Sequence, residues 1–172
     1  AVDGVTLTGA TGVAAGTGVA VKAQFTDATV YGYLVSIKGV GEKLVKTGVN
    51  TTIGVITVTD DVEIKAADVT VTKIAKMALN TATADTKNWS GNKIILTFTN
   101  NVDETSALAT DSIVVKNGGT AVDANIVVDG NNVILTVAGT AAAGWTVEVK
   151  NVKDAVYADN AIGSSATTLT LA

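Results

Sequence analysis

Hydrophobic positions along this chain come in short alternating runs separated by turn residues, a pattern that predicts strands almost throughout. The second half is the clearer. Lys93-Ile-Ile-Leu-Thr-Phe-Thr99 opens it, and a polar loop, Asn100-Asn-Val-Asp-Glu-Thr-Ser106, follows. Ser112-Ile-Val-Val-Lys116 comes next, ended by the turn Asn117-Gly-Gly. Residues 124–128 and 132–137 are expected to form a hairpin across Asp129-Gly130. Gly144-Trp-Thr-Val-Glu-Val149 is a further strand, and Ser165-Ala-Thr-Thr-Leu-Thr-Leu171 the last. Period two puts Leu169 and Leu171 on one face. The one helical suggestion is a single turn over residues 104–110, capped by Asp103.

The first part has its own rhythm. Val2, Val5 and Leu7 lead into a glycine-rich stretch from Gly9 to Gly18. Strands are expected over residues 19–25 and 31–38, with a short one over 44–47. Residues 52–58 and 62–66 are expected to pair across Thr59-Asp-Asp61. Val69-Thr-Val-Thr-Lys-Ile-Ala-Lys-Met77 follows without a spacer and reads as the first strand of a second domain. The expected organisation is therefore all-β, with two small sandwich-like domains in tandem, residues 1–68 and 69–172.

Composition sharpens this picture. Hydrophobic residues make up 47% of the 172, enough for a core, but aromatics are only 4%, so that core must be built from Val, Ile, Leu and Ala. The net charge is −4 and every cation is a lysine. Without arginine, bidentate phosphate and base recognition is missing, which argues against nucleic acid as a partner. No apolar run reaches the roughly 18 residues of a membrane span. Cysteine is absent, so no disulfide contributes. A first residue Ala1 rather than Met fits a mature secreted protein after signal removal, or an excised piece of a longer chain.

The residues around the second-half strands carry a resemblance. Leu96-Thr-Phe98, Val102-Asp103, Gly144, Val152-Lys-Asp154 and Asn160 match, in order and spacing, the bacterial Ig-like domains of surface-layer and other cell-surface proteins. The match covers residues 69–172, and makes the second domain an expected Ig-like sandwich. Gly32-Tyr-Leu-Val-Ser-Ile37 and Val58-Thr-Asp-Asp-Val-Glu-Ile64 more faintly resemble the small β repeats that stand beside such modules. The resemblance implies an extracellular structural or assembly role at the cell surface or cell wall, and it transfers no catalytic residue. The chain departs from the pattern in having no proline and no surface-layer anchoring repeat.

Little in the chain suggests catalysis. With neither histidine nor cysteine, a Ser–His or Cys–His nucleophile is impossible. The acids are scattered through loops rather than paired in an aromatic-lined cleft, as a glycosidase requires. The chain is thus not expected to be an enzyme. The glycines at 12–18 precede an alternating strand rather than a helix, so they do not form a phosphate loop.

Calcium is the one cofactor for which oxygen ligands are on offer. The candidates are Asp103 and Glu104 beside Asn100-Asn101, and Asp154 with Asp159 and Asn160; Asp60-Asp61 is a further pair. None has EF-hand spacing, and turn chemistry explains the same residues, because Asp and Asn bond their own backbone.

Charged residues are only 16% of the chain, below the usual quarter. That favours packing against like chains or against neighbouring domains of a longer surface protein. The outer strands, with Val2 and Leu7 at one end and Leu169 and Leu171 at the other, are candidate interface elements, as is Trp89 in a polar loop. Two other readings use the same features. One is an adhesin or carbohydrate-binding module, with cell-wall polysaccharide as ligand and Trp89 stacking on sugar. The other is a subunit of an extracellular filament.

Overall fold

A computed structural model describes residues 6–8 (backbone only), 12–80 and 89–172. Strands account for 48% of the structure and helix for 5%, so the chain is all-β. It divides into two compact units, Ala1–Ala75 and Lys76–Ala172.

Among its described residues the first unit has six strands: β1 (Thr6–Thr8), β2 (Gly18–Gln24), β3 (Gly32–Ile37), β4 (Gly41–Lys46), β5 (Thr51–Thr57) and β6 (Val69–Ile74). They form two antiparallel three-stranded sheets, in the orders β1-β2-β5 and β4-β3-β6. Alternate residues of the two sheets meet between them. Val21, Ala23 and Ile53 come from one sheet and Val35, Ile37 and Val45 from the other, with Phe25 beside them. β5 crosses close to the chain at Val40, which is why position 54 is glycine. A Cβ there would stand 2.5 Å from the Val40 carbonyl oxygen.

Two expectations change here. Residues 62–66 do not pair with β5, which instead lies beside β2 with Val19 opposite Ile56. After Asp60 and Asp61 the chain has no ladder and passes into a 3-10 turn, Ala66–Asp68, where the Asp68 carboxylate accepts the Lys65 N–H at 3.2 Å. Nor does β6 open the second domain. It pairs with β3, Val35 opposite Val71, and lays Val69 and Val71 against the first core. The boundary thus falls after Ala75 rather than after Asp68. Burial of two valines beside a strand more than thirty positions upstream, as the register Ile37 to Val69 records, outweighs adjacency in sequence.

The second unit holds β7 (Trp89–Ser90), β8 (Lys93–Thr97), a single helical turn α1 (Glu104–Ala107), β9 (Ile113–Asn117), β10 (Thr120–Val122), β11 (Ala124–Asp129), β12 (Asn132–Val137), β13 (Thr146–Val149) and β14 (Thr167–Thr170). Two four-stranded antiparallel sheets result, β11-β12-β8-β7 and β10-β9-β13-β14. Their inward residues interdigitate in one core. Ile94, Leu96, Val133 and Leu135 of the first sheet face Val115, Val147, Val149 and Leu169 of the second. The expected hairpin is present, with Asp129 opposite Asn132, so its loop is Gly130-Asn131. Gly130 takes φ 60° while Asn131 does not turn positive, the pattern of a type II′ turn.

Candidate functional site

The loop from Asn151 to Ile162 closes one end of the second sandwich, and it contains the densest polar arrangement among the described residues of that unit. Asp154 is 5% exposed and its carboxylate is filled by four N–H donors. Oδ1 accepts from the backbone of Val156 at 2.8 Å and of Tyr157 at 3.2 Å. Oδ2 accepts from the side-chain amides of Asn100 at 2.9 Å and Asn160 at 3.0 Å. Asn160, 3% exposed, turns its own oxygen to the Met77 N–H at 2.8 Å, a bond spanning 83 positions. Backbone bonds complete the assembly. Val102 bridges Asp154, and the N–H of Asp154 donates to Asn160 O at 2.9 Å.

A second cap joins this one. Asp103 precedes α1, and its carboxylate accepts the Ser106 N–H at 2.8 Å. Its own N–H donates to Lys153 O at 2.9 Å, and the Lys153 N–H returns to the Ser106 hydroxyl at 3.0 Å. A buried carboxylate is tolerated only with such full satisfaction. Of the residues considered for calcium, Asp103, Asp154 and Asn160 thus share one network, whereas Glu104 and Asp159 are exposed beside it. Both carboxylate oxygens of Asp154, one of Asp103 and the amide oxygen of Asn160 are occupied by N–H donors. Among the described residues, no three acidic side chains converge.

The same network receives the chain as it enters the unit. Thr99 donates its hydroxyl to Lys76 O at 2.7 Å and accepts the Ala78 N–H at 3.0 Å. Thr99 N–H donates to Ala78 O at 3.0 Å, and the Asn80 N–H to Thr97 O at 2.7 Å. Residues 76–80 are thereby stitched to β8, while Asn160 holds Met77 from the other side.

The candidate interface residues are distributed differently from expectation. Leu169 and Leu171 do share a face, but it is the inner one. At 7% and 2% exposure they belong to their own core and are not free to meet a partner. Period two says which residues go together and leaves open which side is covered. Trp89 pairs with Ile94 and packs, half-buried, against that core, as Trp145 does. Leu7 lies in β1 opposite Ala23. The side chain of Leu7, all of Val2 and most of the 80–92 loop lie outside the described residues.

What the described residues of the sheets do present is open edges and, on one outer face, an apolar row. On the outer face of β11-β12-β8, Val127 stands opposite Ile134, and Ile134 opposite Ile95. Val127 and Ile95 are 48% and 46% exposed. Polar rows flank them: Asn125, Thr136 and Lys93 on one side, and Asp129, Asn132 and Thr97 on the other.

A second polar cluster, in the first unit, has no counterpart in the sequence reading. The Asp27 carboxylate accepts the Thr29 hydroxyl at 2.5 Å and the Thr29 N–H at 2.9 Å. The Tyr33 hydroxyl donates to it at 3.2 Å, and Lys73 approaches to 3.5 Å. The Thr29 hydroxyl first, then its N–H, and after them Tyr33 and Lys73, hold the Asp27 pKa down to about 2. Burial of Tyr33, with Asp27 beside it, pushes the phenol up. The Tyr33 ring lies flat on Phe25, centroids 4.0 Å apart. The signal was there in Asp27-Ala-Thr29, the spacing of a side chain closing its own turn. Chemically both clusters do the same thing: they fix loops.

No family model matches the chain, and neither a curated protein nor a solved structure matches it.

Proposed function

We propose that this chain is an extracellular structural module that self-associates into a bacterial surface layer or cell-surface array. The observation that carries the reading is the character of its surface. Only 16% of residues are charged, and an apolar row, Val127–Ile134–Ile95, stands on an outer sheet face. A protein kept apart from its copies normally carries more charge and fewer such rows. Loops fixed by saturated hydrogen bonds add to the case, since a load-bearing subunit needs a fixed shape. The residues behind the Ig-like resemblance, Val102, Asp103, Asp154 and Asn160, are the ones that close the end of the second sandwich.

The carbohydrate-binding alternative needs an exposed aromatic platform. Trp89 and Trp145 are half-buried against the core, and Tyr33 is stacked on the buried Phe25. That favours assembly over glycan capture.

Negative-stain electron microscopy of the purified chain, with and without millimolar calcium, tests the proposal. Ordered sheets are expected. Persistent single particles at high protein concentration in both conditions would refute self-association by this chain.

A further inference from the structure

The outer strands of the sheets are not equivalent. An exposed strand edge is a template for pairing, and proteins ordinarily blunt it with charge, brevity or cover. Most edges here are blunted. β4 carries Glu42, Lys43 and Lys46, β6 carries Lys73, and β11 ends in Asp129. β10 has only three residues. β5 is uncharged, but the chain at Val40 lies against it. β14, of four residues, has neither charge nor, among the described residues, a covering segment. Among the described residues it pairs only with β13, and from 160 to 172 the chain carries no charged side chain.

The direction of its free backbone groups follows from the ladder. Leu171 donates its N–H to Trp145 O at 2.8 Å, and Leu169 lies opposite Val147. Residues of an antiparallel strand alternate in the side to which they send N–H and C=O. Those of 169 and 171 point to β13, so those of Thr168 and Thr170 point outward.

We infer that β14 is the edge through which two copies of this chain join, antiparallel, about a two-fold axis at Leu169. The inference rests on the self-association proposed above and names its contact. In this register Thr168 faces Thr170 of the second copy and exchanges both backbone bonds with it, about four bonds in all. The Leu169 side chains, 7% exposed, stay in their own cores on either side of the axis, and threonines meet threonines on the outer face. The threonine pairs are favourable cross-strand pairs, and no like charges oppose one another. A two-fold contact of this kind uses the same patch on both subunits. The two four-stranded sheets become one of eight.

Such a contact is small beside the roughly 1,200 Å² of a stable interface, so it is weak alone and acts through effective concentration in an array. A covalent trap suits it, and a chain without cysteine makes the trap clean. Thr168→Cys and Thr170→Cys are prepared separately, concentrated, and oxidised alone and as a mixture. Opposite residues lie about 5.5 Å apart, within reach of a disulfide. Copies of the same position lie about 8 Å apart, beyond the limit of about 7 Å.

The mixture is expected to give a disulfide-linked dimer of one chain of each kind, and each variant alone at least tenfold less. Thr170→Asp added to the Thr168→Cys chain and Thr168→Asp added to the Thr170→Cys chain set two carboxylates opposite each other at exposed positions, and should abolish the mixed dimer while leaving the tryptophan emission of the folded unit unchanged. Equal cross-linking by single variants would overturn the register. Absence of any cross-link while wild-type sheets persist would overturn β14 as the contact and leave the assembly reading standing. Absence of both sheets and cross-links would end both.

Discussion

Replacing Asp154 by alanine removes one carboxylate and strands four donors. Hydrogen bonds to a charged group are each worth about 1.5–3 kcal/mol. A simple sum over four would approach the whole stability of a domain, about 5–15 kcal/mol. The sum overstates the loss for two reasons. Val156 is 72% exposed, so its N–H, and that of its neighbour Tyr157, can turn to water. The carboxylate also loses its own desolvation cost on removal. The amides of Asn100 and Asn160 remain, and Asn160 is held in place by Met77. We therefore expect Asp154→Ala to cost about 3 kcal/mol.

Both tryptophans, Trp89 and Trp145, lie in the second unit, so their fluorescence during urea unfolding of the full chain reads that unit alone. With a urea slope of about 1 kcal/mol/M, the midpoint should fall by about 3 M. Asn160→Ala should cost about 2 kcal/mol, because the Met77 N–H loses its acceptor. The double variant should lose at least about 1 kcal/mol less than the two single losses added, because the residues share a bond. Millimolar calcium should restore nothing. A midpoint shift below about 0.5 M for Asp154→Ala would refute the account, as would additive losses in the double variant.

Two further outcomes concern the first unit. The Asp27 carboxyl, held at about 2 instead of 3.8, stabilises the folded state above about pH 4, and this contribution disappears as pH falls from there through about 2. The Thr29 amide signal should titrate with a midpoint near 2 by NMR, and Thr29→Val should move the midpoint toward 3.8. An unchanged midpoint in that variant would sink the assignment. Gly54→Ala drives a methyl to within 2.5 Å of the Val40 carbonyl oxygen and should cost about 1–3 kcal/mol. Loss should appear in the near-ultraviolet circular dichroism of Tyr31 and Tyr33 and leave tryptophan emission untouched.

What the sequence made legible was local. The hairpin over residues 124–137 needs only alternation and a Gly at the turn, and both lie within fourteen positions. The partner of β6 was not legible, because Val69 and Val71 alternate identically whether they serve the first core or the second. Leu169 and Leu171 show the same gap, since their shared face is a matter of spacing but its burial depends on β13 and β9. At the loop of 151–162, the residues themselves were picked out from their type. The long-range part of their bonding was not legible, because the donor that Asn160 accepts from stands at Met77, far upstream.

That distant bond has a mechanical meaning. Tension carried along the backbone arrives in the second unit at Lys76, and the next residues are fastened to Thr97, Thr99 and Asn160 together. A pull is divided at once between a central strand and the loop that plugs the sandwich, so the first residues do not peel away singly. The anchorage resembles a seam sewn to two fabrics, and cutting one thread, as in Asn160→Ala, should lower the rupture force before it alters the shape.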